Sequence, residues 1–472
     1  MTVSQWRLRA AFARRLSRMY GREVPAYTTL VEVSEQVNRD VLARWGEAAE
    51  RLGSLARVTA ERHGAIRVGT PAELNQVARV FGALGMRPVG FYDLREAAAS
   101  AVPVVSTAFR PVDADELARN PFRVFTSLLT PDDPRFFDPD LRAELTAFLA
   151  RRQLFSPELL ALADRAEAER ELPEQAAERF LELAVAAFEL STEPVDHAWY
   201  RRLEAVSAVA ADIGGVTSTH VNHLTPRVLD IDELYRRMRG RGIEMIDAIQ
   251  GPPRWRGPDV LLRQTSFRAL AEPRPLRQPD GTVVPGSLRV RFGEVEARGI
   301  ALTRAGRARY DALLTEVDRR LAADPDQVRA EVARQVWEQG LPDTERGLLG
   351  ADLAFFTYDP APDPPRGTPP TTPAALVDGG WATATPIVYE DFLPRSAAGI
   401  FQSNLSGEGT RHHTSAAADH DVDWLAGAVG RDIHDPFDLY AREQADSLDR
   451  LAARLGTPIT PDHAPAPPEG HR

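Results

Sequence analysis

Two histidines, each four residues ahead of an arginine, and two closely spaced glutamates are the residues in this chain best suited to chemistry. His63 opens the run His63-Gly-Ala-Ile-Arg67, and His223 opens His223-Leu-Thr-Pro-Arg227. Residues four apart in an extended strand point to one face, so each histidine shares a face with its arginine. In residues 290–298, VRFGEVEAR, the side chains of Glu294, Glu296 and Arg298 share a face while Val295 and Ala297 take the other. Two histidines and one carboxylate on one side of a metal leave positions open for substrate and O2, the arrangement of non-haem Fe(II) oxygenases. Zinc and manganese accept the same donors, so the donors alone leave the metal open. An arginine beside such a site suits a substrate carboxylate, which its planar fork grips with two hydrogen bonds. Simpler readings stand beside these. A strand histidine is ordinarily a hydrogen-bonded core residue, and the glutamates can salt-bridge Arg298 or Arg291. His220 lies three residues from His223, hence on the opposite face. His412, His413 and His420, in RHHTSAAADH, have no apolar strand or helix pattern around them and read as a surface cluster.

A repeat lifts the two histidines above that background. One offset of 160 residues (223 against 63) also pairs Arg67 with Arg227, Val68 with Val228, Glu73 with Glu233 and Leu74 with Leu234. A second echo sets Thr107-Ala-Phe-Arg110 against Thr265-Ser-Phe-Arg268, at an offset of 158. Matched segments in the same order read as an internal duplication, and histidines at equivalent strand starts imply halves that face a shared site. The first copy reads as a strand from His63, then a helix from Ala72 to about Leu84. Thr70 caps that helix with Pro71 at its first position, and Gly85 ends it. Strands over 88–94 and 102–110 follow, and FRVFTSLL, residues 122–129, supplies a fourth. The second copy repeats the plan: a strand from Thr219, a helix from Asp232, and strands near Met245, over 261–269 and over 287–302. Between the copies, residues 135–212 lack glycine and carry apolar residues at helical spacing, a helical insertion. The N-terminal stretch is arginine-rich and free of acids, superficially like a transit peptide. Leu8, Phe12, Leu16 and Met19 fall at helical spacing, so a docked amphipathic helix explains it better. Helices return over 304–339. The proline-rich run 358–380 predicts a loop with neither helix nor central strand. Order resumes over 385–405, and the tail after Gly456 ends in disorder.

The 472 residues, 43% of them apolar, suffice for a sizeable core and two or three subdomains. A net charge of −11 argues against nucleic acid or an anionic membrane as partner, although a few buried arginines can still bind a small anion. The absence of cysteine excludes disulfides, thiolate metal sites and a Cys nucleophile, leaving any metal to His, Asp and Glu. No apolar run of 18 residues suggests a transmembrane helix, so the cytoplasm is the default compartment, and a homo-oligomer is compatible with the chain. There is no glycine-rich phosphate loop, which argues against a nucleotide enzyme.

The histidine-headed strand-helix-strand copies resemble the vicinal oxygen chelate superfamily, whose paired βαβββ modules form a half-open barrel around a divalent metal. More closely, HGAIRVGTPAEL, GFYDL, STAFRP, HVNHLTPRVLDID, IQGPP, LLRQTSFRAL, RFGEVEARGIALT and YEDFLPRSAAGIFQSNL resemble the 2-oxoadipate dioxygenase/decarboxylase (2-hydroxyglutarate synthase) family, from about residue 5 to 440. The resemblance implies an α+β fold: two such modules, over 61–130 and 213–303, forming a metal-centred half-barrel. Around them it implies an N-terminal helical region (1–60), a helical insertion (131–212), helices (304–345), a Pro-rich loop (346–380), a part completing the substrate pocket (381–440), and a helix with a disordered tail (441–472). It implies His63, His223 and Glu294 as ligands of Fe(II), and Arg67 as the catalytic arginine holding a substrate carboxylate. Ser403 matches a catalytic pocket residue, with Gln402 beside it as a substrate contact. Related hydroxyphenylpyruvate dioxygenases place the ligand Glu three residues before the Gln of a Gln-Arg pair. Ala297 stands there in this chain, which removes a polar neighbour of the ligand and keeps the ligand itself. The implied reaction takes a small 2-oxo dicarboxylic acid and O2: 2-oxoadipate becomes 2-hydroxyglutarate plus CO2, a step of lysine breakdown. Two other readings remain at this level, a glyoxalase-type lyase or isomerase on the same scaffold and a non-catalytic small-molecule binder. The first generally needs a fourth protein ligand from copy one, and FRVFTSLL has no carboxylate. Binders of this superfamily commonly lack the His–His–Glu set.

Overall fold

The computed structural model describes residues 1–46, 51, 55–60, 62–96, 102–394, 396, 399–400, 404 and 418–460. Gln402, Ser403, His412, His413 and the expected disordered end beyond 460 lie outside the described residues. The chain opens with a short strand β1 (Thr2–Ser4) and helices α1 (Gln5–Glu23), α2 (Pro25–Trp45) and α3 (Leu55–Ala60). Leu8, Phe12, Leu16 and Met19 are all buried on α1, so the N-terminal stripe docks on the body.

The first copy follows as β2 (Arg62–Val68), α4 (Pro71–Ala83), β3 (Arg87–Asp93), β4 (Val104–Arg110), the short α5 (Ala114–Arg119) and β5 (Arg123–Leu129). Helix α4 starts where its cap dictates: the Thr70 hydroxyl accepts from the Glu73 N–H, and the Glu73 carboxylate accepts from the Thr70 N–H. The insertion is α6 (Pro139–Leu149), α7 (Pro157–Glu169), β6 (Glu171–Pro173), α8 (Glu174–Ala186), β7 (Val195–Asp196), α9 (His197–Val206) and α10 (Ala208–Gly214). Its two short strands depart from the all-helical expectation because each borrows a distant partner: β6 pairs with β1.

The second copy comprises β8 (His223–Pro226), α11 (Ile231–Gly240), β9 (Leu262–Ser266), β10 (Glu272–Arg277), β11 (Val283–Leu288) and β12 (Glu294–Arg298). It departs from the expected plan in two places. The strand near Met245 is a single bridge to Phe267, and the long strand over 287–302 is split. Pro273, Pro275 and Pro285 lack ladder N–H groups, so β10 and β11 form an outlying hairpin joined to β7 instead of entering the main sheet.

The main sheet has the order β3-β4-β5-β2-β8. Strands β2 and β5 run parallel, whereas β2 meets β8 antiparallel, with His63 opposite Thr225 and Ala65 opposite His223. This β2–β8 seam joins the two copies. Beyond it the wall continues through a bridge between Arg227 and Glu296 to the antiparallel pair β12–β9. Gly64 and Ile66 of β2 pack with Phe12, Leu16, Phe81 and Val124 in the core, so His63, Ala65 and Arg67 face the other way.

The remainder is α12 (Arg304–Ala323), α13 (Arg329–Gly340), α14 (Glu345–Gly350), β13 (Phe356–Pro360), α15 (Pro373–Asp378), β14 (Ala382–Pro386) and two helices, Val422–Val429 and Pro436–Leu455. The proline-rich run is therefore not all loop. Pro360 ends β13, which pairs with β14, and Pro373 starts α15 at the one position where its missing N–H costs nothing. No described helix is long and apolar enough to cross a membrane.

Candidate metal centre

Strand register decides which side chains meet. Reading across β4, β5, β2 and β8 on the face opposite Gly64 and Ile66, one row holds Arg123 and His63. The next holds Ala108, Phe125, Ala65 and His223, and a third holds Ser106, Ser127 and Arg67. Glu294 arrives from β12. Its Oε1 lies 3.6 Å from His63 Nε2 and its Oε2 lies 3.3 Å from His223 Nε2. The two imidazoles meet edge to face, with ring centres 5.6 Å apart. One ligand atom from each of the three residues lies within 4.8 Å of the others, and all three residues are buried. Among the described residues no fourth His, Asp or Glu joins them.

The donor set fits a divalent cation. Burial pushes both imidazoles below their usual range, and for His223 the neighbouring His63 and Arg67 add to it, so neutral nitrogen lone pairs are on offer. Burial and the adjacent Glu296 charge push the Glu294 carboxyl well above the usual carboxylate range. A cation seated among these atoms would supply the positive charge that this buried carboxylate needs to ionise.

The neighbours of the triad orient it. His63 Nδ1 lies 2.9 Å from Glu296 Oε2, which turns Nε2 toward Glu294. Glu296 in turn accepts two hydrogen bonds from Arg298, each 2.8 Å, and a longer one from Arg123 at 3.4 Å. Burial opposes ionisation of Glu296, yet Arg298, His63 and Arg123 together hold it well below the usual carboxylate range. The salt-bridge reading of this glutamate pair thus applies to Glu296, which binds Arg298, while Arg291 binds Glu23 and Glu272 instead and Glu294 is left for the triad. The Gln264 amide donates to Glu294 Oε1. Ala297 offers no such group from β12, and β9 supplies one from across the strand pair, since Gln264 sits opposite Glu296. Pairing β9 with β12 would have exposed Gln264 in the sequence; the repeat alone did not.

Residues 389–392 are a second feature that sequence reading missed. Arg110 makes a two-pronged bond to Asp391, at 2.8 and 3.0 Å, and Arg57 and Arg123 both bond Glu390. Arg298 Nη1 donates to the Tyr389 and Asp391 carbonyls. This clamp sets Phe392 edge-on to His63, ring centres 5.0 Å apart, and against Phe125. The acidic pair in YEDF is visible in the sequence, but no local spacing names partners 267 to 333 residues away.

Arg67 lies on the strand face of His63, as its spacing predicts, with its guanidinium already engaged: Nη1 donates to Asp212 Oδ2 at 2.5 Å. Asp212, from α10, also accepts from Asn222 Nδ2 at 2.8 Å and lies 3.3 Å from His220 Nε2. His220 is therefore turned from the triad toward Asp212, although strand parity does not set it, because it lies in the non-strand run ahead of β8. Nothing near Asp212 in the insertion signalled this role. His420 corrects the expectation of a surface cluster. It is buried, with Nδ1 2.8 Å from Arg95 Nη1, Nε2 3.1 Å from Asp132 Oδ2, and its ring against Trp424. Its partners come from distant segments, which a local apolar pattern does not reveal. Asn404, adjoining Gln402 and Ser403 in sequence, donates to Ser266 Oγ at 2.8 Å, and Ser266 sits opposite Glu294 in the β9–β12 register.

Fold and site together define a mixed α/β protein built around a buried His–His–Glu centre of metal-ligand type, with one histidine from each of two similar segments. The sequence profile of the 2-oxoadipate dioxygenase/decarboxylase family matches residues 12–404. The chain belongs to that family. The protein of this name from Mycobacterium bovis is 59% identical over 433 residues, which cover 92% of this chain and 95% of that one. Its namesake from Pseudomonas putida is 40% identical over 465 residues, covering 96% and 98%. Among solved structures, the hydroxyglutarate synthase from Pseudomonas putida in complex with 2-oxoadipate matches with a TM-score of 0.83 at 38% identity, over 96% of this chain and 99% of that chain.

Proposed function

We propose that this chain converts 2-oxoadipate and O2 into 2-hydroxyglutarate and CO2, using Fe(II) held by His63, His223 and Glu294. The observation that carries the reading is the buried triad itself, assembled across the β2–β8 seam in a chain of this family. Fe(II) bound there would supply reactivity toward O2 and open coordination positions for the 2-oxo acid.

The chain's own residues do the rest. Glu296 holds the His63 ring so that Nε2 serves the metal, and Gln264 fixes the Glu294 carboxylate. Arg67, on the same strand face as His63, holds the remote carboxylate of the diacid, which fixes the substrate's orientation. Asn404, next in the chain to Gln402 and Ser403, bonds Ser266, which sits opposite Glu294. Phe392, Phe125 and Tyr92 make an aromatic wall that keeps water from the reacting end. In this reading the copies are paired βαβββ modules of one half-barrel, and the β10–β11 hairpin is an addition to the second. The glyoxalase-type alternative is disfavoured, because β5 places Arg123, Phe125 and Ser127 on the face of His63 and Arg67 and none of them is a further carboxylate or histidine ligand.

Anaerobic loading with Fe(II), then O2 uptake and product analysis on a panel of 2-oxo acids, tests the proposal. The expected result is one O2 consumed per CO2 and 2-hydroxyglutarate formed, with 2-oxoadipate preferred. Turnover without O2 uptake would replace it with the lyase or isomerase reading, and binding without turnover with the binder.

A further inference from the structure

The buried cluster around Asp212 is balanced in charge and contains a base that the mechanism does not use. Asp212 Oδ2 accepts from Arg67 Nη1 at 2.5 Å and from Asn222 Nδ2 at 2.8 Å, and its Oδ1 lies 3.3 Å from His220 Nε2. None of the four residues is more than 4% exposed. Burial opposes ionisation of Asp212, and His220 and Arg67 overcome it, so the carboxylate is charged and cancels Arg67. Two further elements reach the cluster, since Tyr200 of α9 and Arg274 of β10 both lie in the field of Asp212. Arg274 and Arg291 are offset in turn by Glu272 and Glu23, both of which bond Arg291. The fixed charges of these groups therefore sum to zero. His220 is the remaining titratable group. Its Nε2 is shared between Asp212 and Asn222 Nδ2, 3.1 Å away, and its Nδ1 has no partner among the described residues. A neutral imidazole fits this balanced state, and one of its two nitrogens is then a buried base able to take a proton.

We propose that His220 takes up a proton as the diacid binds, and so supplies the positive charge that answers the substrate's remote carboxylate at Arg67. The proposal rests on the reading that Arg67 holds that carboxylate. A carboxylate brought to the Arg67–Asp212 pair adds one negative charge to a buried, neutral cluster, and an uncompensated charge there is costly. Proton uptake removes that cost: one N–H bond forms on the imidazole, the proton comes from solvent, and the sum returns to zero. Protonated His220 also competes for Asp212, which loosens the hold of Asp212 on Arg67 and leaves the guanidinium to the substrate. His220 is thus a positioning residue that acts on Arg67 through Asp212. Linkage is reciprocal, so a diacid that draws a proton onto His220 binds the protonated enzyme more tightly by the same factor, and its affinity falls as pH rises. A 2-oxo acid without the second carboxylate brings no such charge. The two classes of acid are therefore separated by a proton as well as by Arg67.

The test is calorimetric titration of the iron-loaded enzyme without O2, in buffers of different ionisation enthalpy. The ligands are 2-oxoadipate and 2-oxohexanoate, which has the same length and a single carboxylate. Both acids carry the same 2-oxo end, so the difference between them belongs to the remote carboxylate. Near neutral pH, 2-oxoadipate is expected to take up as much as about one proton more than 2-oxohexanoate. Its Kd should rise about 10-fold or more between about pH 6 and about pH 8, the range in which histidine changes charge. His220→Gln keeps an amide N–H for Asp212 and cannot titrate. It should abolish the extra proton, flatten the pH dependence and weaken 2-oxoadipate about 10-fold at the acid end, with iron content unchanged. Where His220→Gln fails to fold, His220→Asn carries the same comparison. Equal proton uptake with the two acids in the wild type would overturn the proposal. So would an extra proton that survives His220→Gln, or a variant that weakens both acids alike, the mark of a structural role. Arg67→Ala separates these failures from failure of the Arg67 reading: that reading stands if the variant loses affinity for 2-oxoadipate, and both fall if it does not.

Discussion

His63 has a carboxylate on each side of its ring, Glu296 Oε2 2.9 Å from Nδ1 and Glu294 Oε1 3.6 Å from Nε2, whereas among the described residues His223 meets one carboxylate, that of Glu294, 3.3 Å from Nε2. The triad still predicts equal dependence on its members, because removing any one of three protein ligands leaves too few to hold the ion. His63→Ala, His223→Ala and Glu294→Ala should each abolish Fe(II) binding measured by metal content after desalting, and His220→Ala should keep it. Iron lost from His220→Ala but kept by His223→Ala would reverse the assignment. The Glu294 carboxyl gives a pH prediction. Its folded pKa is raised above the unfolded value of about 4.5, so in the metal-free protein its contribution to stability is full below that pH and is lost as pH rises toward the folded value. The ion binds the carboxylate, so binding must expel that proton and affinity must rise with pH across the same window. Calorimetric titration in two buffers of different ionisation enthalpy should show proton release, and identical heats in both would count against it. At Arg67, replacement by Ala should keep iron but lower 2-oxoadipate turnover by about a hundred- to several-thousand-fold, and Lys should rescue only part. The same change strands Asp212, a buried carboxylate, so stability should fall as well. Adding Asp212→Asn should restore melting temperature without restoring turnover, and a double variant that regains turnover would make Arg67 a structural residue.

At the scale of elements, the segment 389–392 is held to the first copy chiefly by the Arg110–Asp391 pair, with the Tyr440 hydroxyl donating to the same carboxylate. Asp391→Ala leaves Arg110 buried without its counter-charge, at a cost of about 3–5 kcal/mol in urea denaturation, and frees Phe392 from the metal centre, so turnover should fall with iron retained. A loss below about 1 kcal/mol would show the clamp to be dispensable. The contrast with β2 and α4 explains what could be read from the sequence. Those elements announce themselves through alternation and a local cap, because the residues that fix them are neighbours in the chain. Face parity puts each of His63 and His223 on a face with its arginine and leaves Glu294 and Glu296 sharing one face; it is the family resemblance that singles out Glu294. The Asp391 clamp, Gln264 and Asp212 depend on partners brought close only by the fold, and the split of the strand over 287–302 follows from prolines whose effect depends on where the sheet runs. Sequence periodicity carries the first kind of information and not the second.

On the scale of the whole molecule, the two copies meet in one antiparallel pair of strands, and the residues that pair there are about 160 positions apart. Closing a loop of that length costs about 5 kcal/mol of chain entropy before any contact repays it. Local units such as α4 with its strands form without that cost, so the β2–β8 ladder is expected to zip late in folding, after each half is ordered. The ligands do not exist as a set until it does. A metal ion bound at the triad would therefore not nucleate this chain; it would lock a nearly finished one, acting as a clasp on the last join to close. Metal-free protein should fold at the same rate as iron-supplied protein and unfold faster. Hydrogen exchange should report the difference at the amides of residues 223–226, which iron protects, more than at those of β4 and β5, which it does not touch.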